Sequence, residues 1–126
     1  MHSRRSHSPQ ALRFEERRRR EDEAPRLHDQ VPSLVSLRIE LEDREGVIAE
    51  NKYTRRVVIE RAPALFLVPC GDLRCSGSEH DLTSDVIVAL RSGMTSFHGE
   101  DACRGSLPLG ECPRVLRFEG VATYLP

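Results

Sequence analysis

Ser33-Leu34-Val35-Ser36-Leu37-Arg38-Ile39-Glu40-Leu41-Glu42 carries the clearest structural signal in the chain. From Leu37 onward the residues alternate. Leu37, Ile39 and Leu41 share one face, and Arg38, Glu40 and Glu42 share the other. Successive strand side chains point to opposite faces, so this pattern predicts a half-buried β-strand. Asp43-Arg44-Glu45-Gly46 then reads as a turn, with Gly46 free to adopt positive φ.

The same pattern recurs further along. Tyr53 to Arg61 contains the β-branched run Val57-Val58-Ile59, which suits a pleated surface. Ala64 to Val68 is short, apolar and bounded by prolines, which predicts a buried strand. Thr95 to His98 reads as a brief strand. Arg114 to Leu125 alternates through Leu116, Phe118, Ala122 and Tyr124, with Gly120 marking a bulge or a close approach. Between these lies a helical stretch, Ser84 to Ser92. Thr83 or Ser84 is a candidate N-cap, and Gly93 is a candidate C′ residue. The expected fold is mainly β, a small α+β protein with an antiparallel sheet, one short helix and a cysteine cluster.

The first 32 residues differ in character. They hold Arg4, Arg5, Arg13 and the run Arg17 to Arg20, followed by Glu21, Asp22 and Glu23. Ala11 to Glu23 has helix propensity but no apolar stripe to bury, so only a transient helix is expected there. Residues 1–32 therefore read as a disordered Arg-rich arm. Residues 33–126 read as a single β-rich domain, with a cysteine-rich insert over 69–113. An Arg-rich arm suits nucleic acid or an acidic partner. The acidic residues that follow largely cancel its field.

Composition sets outer bounds. The chain has 126 residues, enough for one domain, and its net charge of −1 excludes a polyanion binder by bulk electrostatics. Hydrophobic residues make up 38% and aromatics 5%, so the core is thin and a staple would help it. No apolar run approaches the ~20 residues of a membrane span. The N-terminal stretch lacks the apolar region of an export signal, so a cytoplasmic, reducing setting is expected. Cysteines there are more often metal ligands than disulfides.

Cys70 and Cys75 form a C-x4-C pair, and Cys103 and Cys112 form a C-x8-C pair. Each pair sits in Gly- or Pro-rich sequence: Pro69-Cys70-Gly71-Asp72 and Leu109-Gly110-Glu111-Cys112-Pro113. Zinc favours four tetrahedral ligands, and two local pairs brought together can supply them. Pro69 to Pro113 resembles a zinc ribbon in type, with cysteine pairs in turns beside strands. Its gaps are longer than the tight knuckles usual in ribbons, which leaves the ligand set open. The resemblance implies structural Zn²⁺ held by Cys70, Cys75, Cys103 and Cys112. His80 and His98 are alternative ligands. His80 is also a candidate to bond a metal-bound sulfur through its ring, or simply to satisfy a turn. Disulfides, or no staple, are the remaining readings of the thiols.

Catalytic signals are weak. Acidic neighbours such as Glu100 and Asp101 raise a thiol pKa, the wrong direction for a nucleophile. Four thiolates also close a zinc site that catalysis would keep open. No phosphate-binding loop is present. The expected function is a non-catalytic, zinc-stabilised binding or adaptor module, its partner a protein or a nucleic acid and not a membrane. Two alternatives belong to other classes: a thiol-based redox or metal sensor, and a small metal-dependent enzyme.

Overall fold

A computed structural model of the chain describes residues 9–76 and 79–126. Strand accounts for 43% of the structure and helix for 23%, in keeping with a mainly β α+β protein. In chain order the elements are α1 (Pro9–Glu23), α2 (Leu27–Gln30), β1 (Leu34–Glu45), β2 (Ile48–Val57), β3 (Leu67–Val68) and β4 (His80–Asp81). They continue with α3 (Thr83–Arg91), β5 (Ser96–Ala102), β6 (Ser106–Leu107), β7 (Gly110–Glu111) and β8 (Arg114–Tyr124).

The main sheet has the order β2-β1-β8-β5, with every neighbouring pair antiparallel. Register explains which residues meet. Leu37 faces Ala122, Ile39 faces Gly120 and Leu41 faces Phe118. Phe97 faces Gly120 from the other side. These side chains share one face, and all are buried. Gly120 marks a close approach. A Cβ there would lie 2.1 Å from Cζ of Phe97, so only glycine lets that ring lie across the strand.

Helix α3 supplies Val86, Ala89 and Leu90 to the same apolar cluster. It ends as a Schellman motif. The N–H of Met94 donates to the carbonyl of Ala89, that of Gly93 donates to Leu90, and Gly93 has φ of 74°. At its start the side chain of Thr83 does not cap the helix. Its Oγ1 accepts the N–H of Phe66 instead, tying α3 to the segment before β3. The opposite face of the sheet is open and charged. Arg117 pairs with Glu100 at 3.1 Å, and Lys52 pairs with Glu42 at 3.6 Å.

The first segment differs from the disordered arm expected for residues 1–32. Pro9–Glu23 is helical, and Leu27 and Val31 are buried in the core. Tertiary partners replace the missing apolar stripe. Arg17 forms an ion pair with Glu79, and Arg20 lies 3.7 Å from Asp81. Past α1, Leu27 donates its N–H to Ala62, and Ala64 donates to Pro25. The ordered body therefore begins before Ser33. Arg4 and Arg5 lie outside the described residues. The buried segment Ala64 to Val68 is strand only at Leu67–Val68, because its partner β4 is equally short. No helix among the described residues is long and apolar enough to cross a membrane.

Candidate metal centre

Each cysteine pair sits at the end of an antiparallel ribbon. β3 and β4 pair through Val68 with His80 and Leu67 with Asp81, and their connection carries Cys70 and Cys75. Asp72 folds that connection. Its carboxylate accepts the backbone N–H of Arg74 at 2.9 Å, and its carbonyl accepts the N–H of Cys75 at 3.0 Å. This is an Asx-turn, which brings the second cysteine back towards the first. The side chain of Arg74 also grips the carboxylate and holds its pKa down to about 2.

The second pair belongs to the β5–β8 ribbon. Beyond the last sheet pairing, the Cys103 N–H donates to Arg114 and the Cys112 N–H donates to Gly105. The β6–β7 hairpin then closes the connection. Cys103 and Cys112 thus lie on opposite strands of one long hairpin, offset diagonally, with Cys103 opposite Arg114 and Cys112 opposite Gly105. That geometry accounts for the wide C-x8-C gap: the intervening residues build a complete turn of ribbon.

The two ribbons bring all four sulfurs together, within 4.8 Å of one another. Sγ of Cys70 lies 3.7 Å from Sγ of Cys112, and Sγ of Cys75 lies 3.6 Å from Sγ of Cys103. A tetrahedron with ~2.3 Å metal–sulfur bonds has edges of about 3.8 Å. No disulfide joins the cysteines. The arrangement is compatible with a metal-binding cluster. Cys75 and Cys112 are buried, yet neither belongs to the main apolar cluster.

Burial pushes the Cys70 thiol well up, and the backbone N–H at Asp72 only partly offsets this. Burial likewise raises Cys103, to about 11, against the N–H of Gly105. Both shifts run opposite to the lowered pKa that activates a nucleophilic thiol. A divalent cation would reverse the balance by stabilising thiolates.

His80 is not one of the clustered donors. Its Nδ1 lies 2.7 Å from Oδ2 of Asp101, and its side chain is 1% exposed. Nε2 is buried and has no hydrogen-bond partner among the described residues. The His80–Asp101 bond fastens β4 to β5 between the cysteine pairs. Ser76 and Ser106 fasten the ribbons again, through a backbone bond of 3.0 Å and a hydroxyl contact of 2.9 Å. His98 is exposed on the open face, opposite Glu119, and takes no part.

Three further residues belong to this end of the molecule. Asp43 is buried in β1 and does not lie in the turn expected for Asp43 to Gly46. Its Oδ2 lies 3.5 Å from Nη1 of Arg114, which is also buried. Gly71 presses against this pair. A Cβ there would lie 1.7 Å from Oδ2 of Asp43. Asp43, Asp72, His80 and Arg114 are the buried polar residues among those described, and all four sit around the cysteines. A signal for two of them exists in the alternation itself. Asp43 extends the stripe Leu37, Ile39, Leu41, and Arg114 extends the stripe Leu116, Phe118. A charge that continues a buried stripe marks a polar site at the end of a core.

The fold and site define a small antiparallel α+β protein with a four-cysteine cluster at one end of its sheet. No known family matches the chain, and comparison with curated proteins and with solved structures found no match.

Proposed function

We infer that the protein is a non-catalytic binding module whose four cysteines hold one structural Zn²⁺ ion. The observation that carries this reading is the spacing of the sulfurs, with cross-ribbon separations of 3.7 and 3.6 Å against a tetrahedral edge of about 3.8 Å. Four thiolates saturate zinc and leave no position for water or substrate, which favours a structural ion over a catalytic one. The zinc joins the ends of two ribbons where the local pairings, β3–β4 and β6–β7, are only two residues long, and the protein's surface meets the partner. Thiols unlinked by disulfides fit a cytoplasmic, reducing setting.

The test is metal content after purification without added zinc. One tightly held zinc per chain, lost when Cys75 or Cys103 becomes serine, supports the reading. Metal-free protein with an unchanged melting temperature contradicts it.

A second reading, a thiol-based sensor, is favoured by the cross-ribbon pairing. An oxidant such as hydrogen peroxide would accept two electrons per pair and be reduced to water. Cys70 would then join Cys112, and Cys75 would join Cys103, with release of the metal. Reversible zinc release on peroxide treatment, together with these two linkages, distinguishes it.

A further inference from the structure

We propose that the cleft between α1, β2 and the Cys70–Cys75 connection is a groove for single-stranded nucleic acid. This names a partner class for the binding module and rests on that reading. The cleft has a volume of about 520 Å³, and Arg13, Phe14, Lys52, Tyr53, Cys70 and Leu73 are among the residues lining it.

The aromatic residues are the first argument. The chain has only four Phe and two Tyr. Phe66, Phe97 and Phe118 are buried in the core, and the Tyr124 hydroxyl donates to Met94. The two that remain, Phe14 at 49% and Tyr53 at 45% exposure, both line this one cleft. One stands on the helix and the other on the sheet edge. Half-exposed aromatic faces on the walls of a groove are stacking platforms for unpaired bases.

Charge is the second argument. The carboxylates lining the cleft already have cations: Asp43 has Arg114, Asp72 has Arg74 and Glu79 has Arg17. The surplus is positive. Within the lining, Arg17 and Lys52 are paired with Glu79 and Glu42, and Arg13 alone has no ion-pair partner among the described residues; Arg55, beyond the cleft but following Tyr53 on the same face of β2, has none either. The guanidinium of Arg18 lies 6.0 Å from the Phe14 ring centroid. Cations interleaved with aromatic faces suit a phosphate backbone whose bases turn inward. A duplex would offer its phosphates but no free base faces. An acidic peptide would leave both aromatic rings unused. The attraction is local, since the net charge of the chain is only −1. The metal loop forms one wall through Pro69, Cys70, Gly71 and Leu73, so the groove depends on the cluster being closed.

The experiment is fluorescence anisotropy with the zinc-loaded full chain. The probes are a labelled oligothymidylate, the duplex containing it, and polyglutamate, with zinc content measured on every sample. Saturable binding of the single strand is expected, weaker binding of the duplex, and none of polyglutamate. Tyr53→Leu and Phe14→Leu should each weaken binding about tenfold, because each removes one stacking face. If Arg13, Arg18 and Arg55 each neutralise one phosphate, log affinity falls with log salt at a slope of about −2. Arg13→Gln and Arg55→Gln should flatten that slope. Three results would overturn the groove: no binding at low salt by zinc-loaded protein, affinity unchanged by both aromatic variants, or preference for polyglutamate. Zinc bound without oligonucleotide binding removes the groove and leaves the metal centre standing. Absence of zinc removes the metal centre itself.

Discussion

The two ends of the β1–β8 pair are built on different physics. At one end Leu37, Ile39, Phe97 and Ala122 pack with Val86 and Leu90 of α3, and every buried side chain in that cluster is apolar. At the other end lie Asp43, Asp72, His80, Arg114 and the four sulfurs. The first end is held by burial, which has no direction and tolerates imprecision. The second has strands of two residues and a set of polar groups that must each find a partner. Removing one member leaves another buried and unsatisfied, which costs more than the bond itself contributed. The same sheet therefore carries an apolar half and a polar half that ends at the four-cysteine cluster.

The largest expected effect strikes the cysteine end alone. Cys112→Ser should abolish tight zinc binding and lower stability by about 3 kcal/mol or more, since metal binding here is folding energy. Hydrogen exchange should rise first over residues 69–76 and 103–113. Amides in β1 and β8 between Leu37 and Leu41 and their partners should stay protected. Uniform loss of protection would mean that the two halves are one cooperative unit.

A pair of glycines sharpens the contrast. Gly120→Ala drives a Cβ into the Phe97 ring, and Gly71→Ala drives one into the Asp43 carboxylate. Each should cost about 1–3 kcal/mol in denaturant unfolding. Only Gly71→Ala should also weaken zinc affinity, because only that clash displaces a wall of the cluster. Equal effects of both on zinc would erase the distinction.

The apolar half was legible in the sequence because its signal is periodic. The alternation of Leu37 to Glu42 and of Leu116 to Tyr124 predicts strands that the structure contains, and Gly93 terminates the helix it was expected to terminate. That the two cysteine pairs come together was legible from their spacing in turns, and the sulfurs do cluster. Their partners were not legible. His80 and Asp101 lie 21 residues apart, and nothing in either neighbourhood announces a bond between them. Asp43 was hidden by its own composition: Asp-Arg-Glu-Gly reads as a turn, yet tertiary pairing with Arg114 keeps it in the strand. The N-terminal segment misleads for a similar reason. Its helix docks through Arg17 and Arg20 onto Glu79 and Asp81, and charge pairing leaves no hydrophobic period to read.

Smaller effects follow at the seam between the halves. His80→Gln removes the ring that bonds Asp101 and should weaken zinc affinity about tenfold. A chelator competition titration measures this, with a smaller fall in the stability of the metal-free protein because the Asp101 carboxylate loses its buried partner. A drop in that stability as large as the zinc effect would assign His80 to the core. The smallest effect should come from deleting residues 1–23. This removes the α1 ion pairs but keeps Leu27 in the core, and should shift stability by about 1 kcal/mol in denaturant unfolding. A loss of several times that size would place α1 among the elements that hold the apolar half.

The proposed function stands on four sulfurs sharing one zinc ion. X-ray absorption at the zinc edge of protein purified without added metal tests it most directly. Four thiolates on one zinc ion should give a single shell of four sulfur scatterers at about 2.3 Å, with no nitrogen or oxygen contribution. A shell containing imidazole nitrogen would make a histidine a ligand and break the four-thiolate assignment. An edge signal at the level of the buffer would remove the metal altogether.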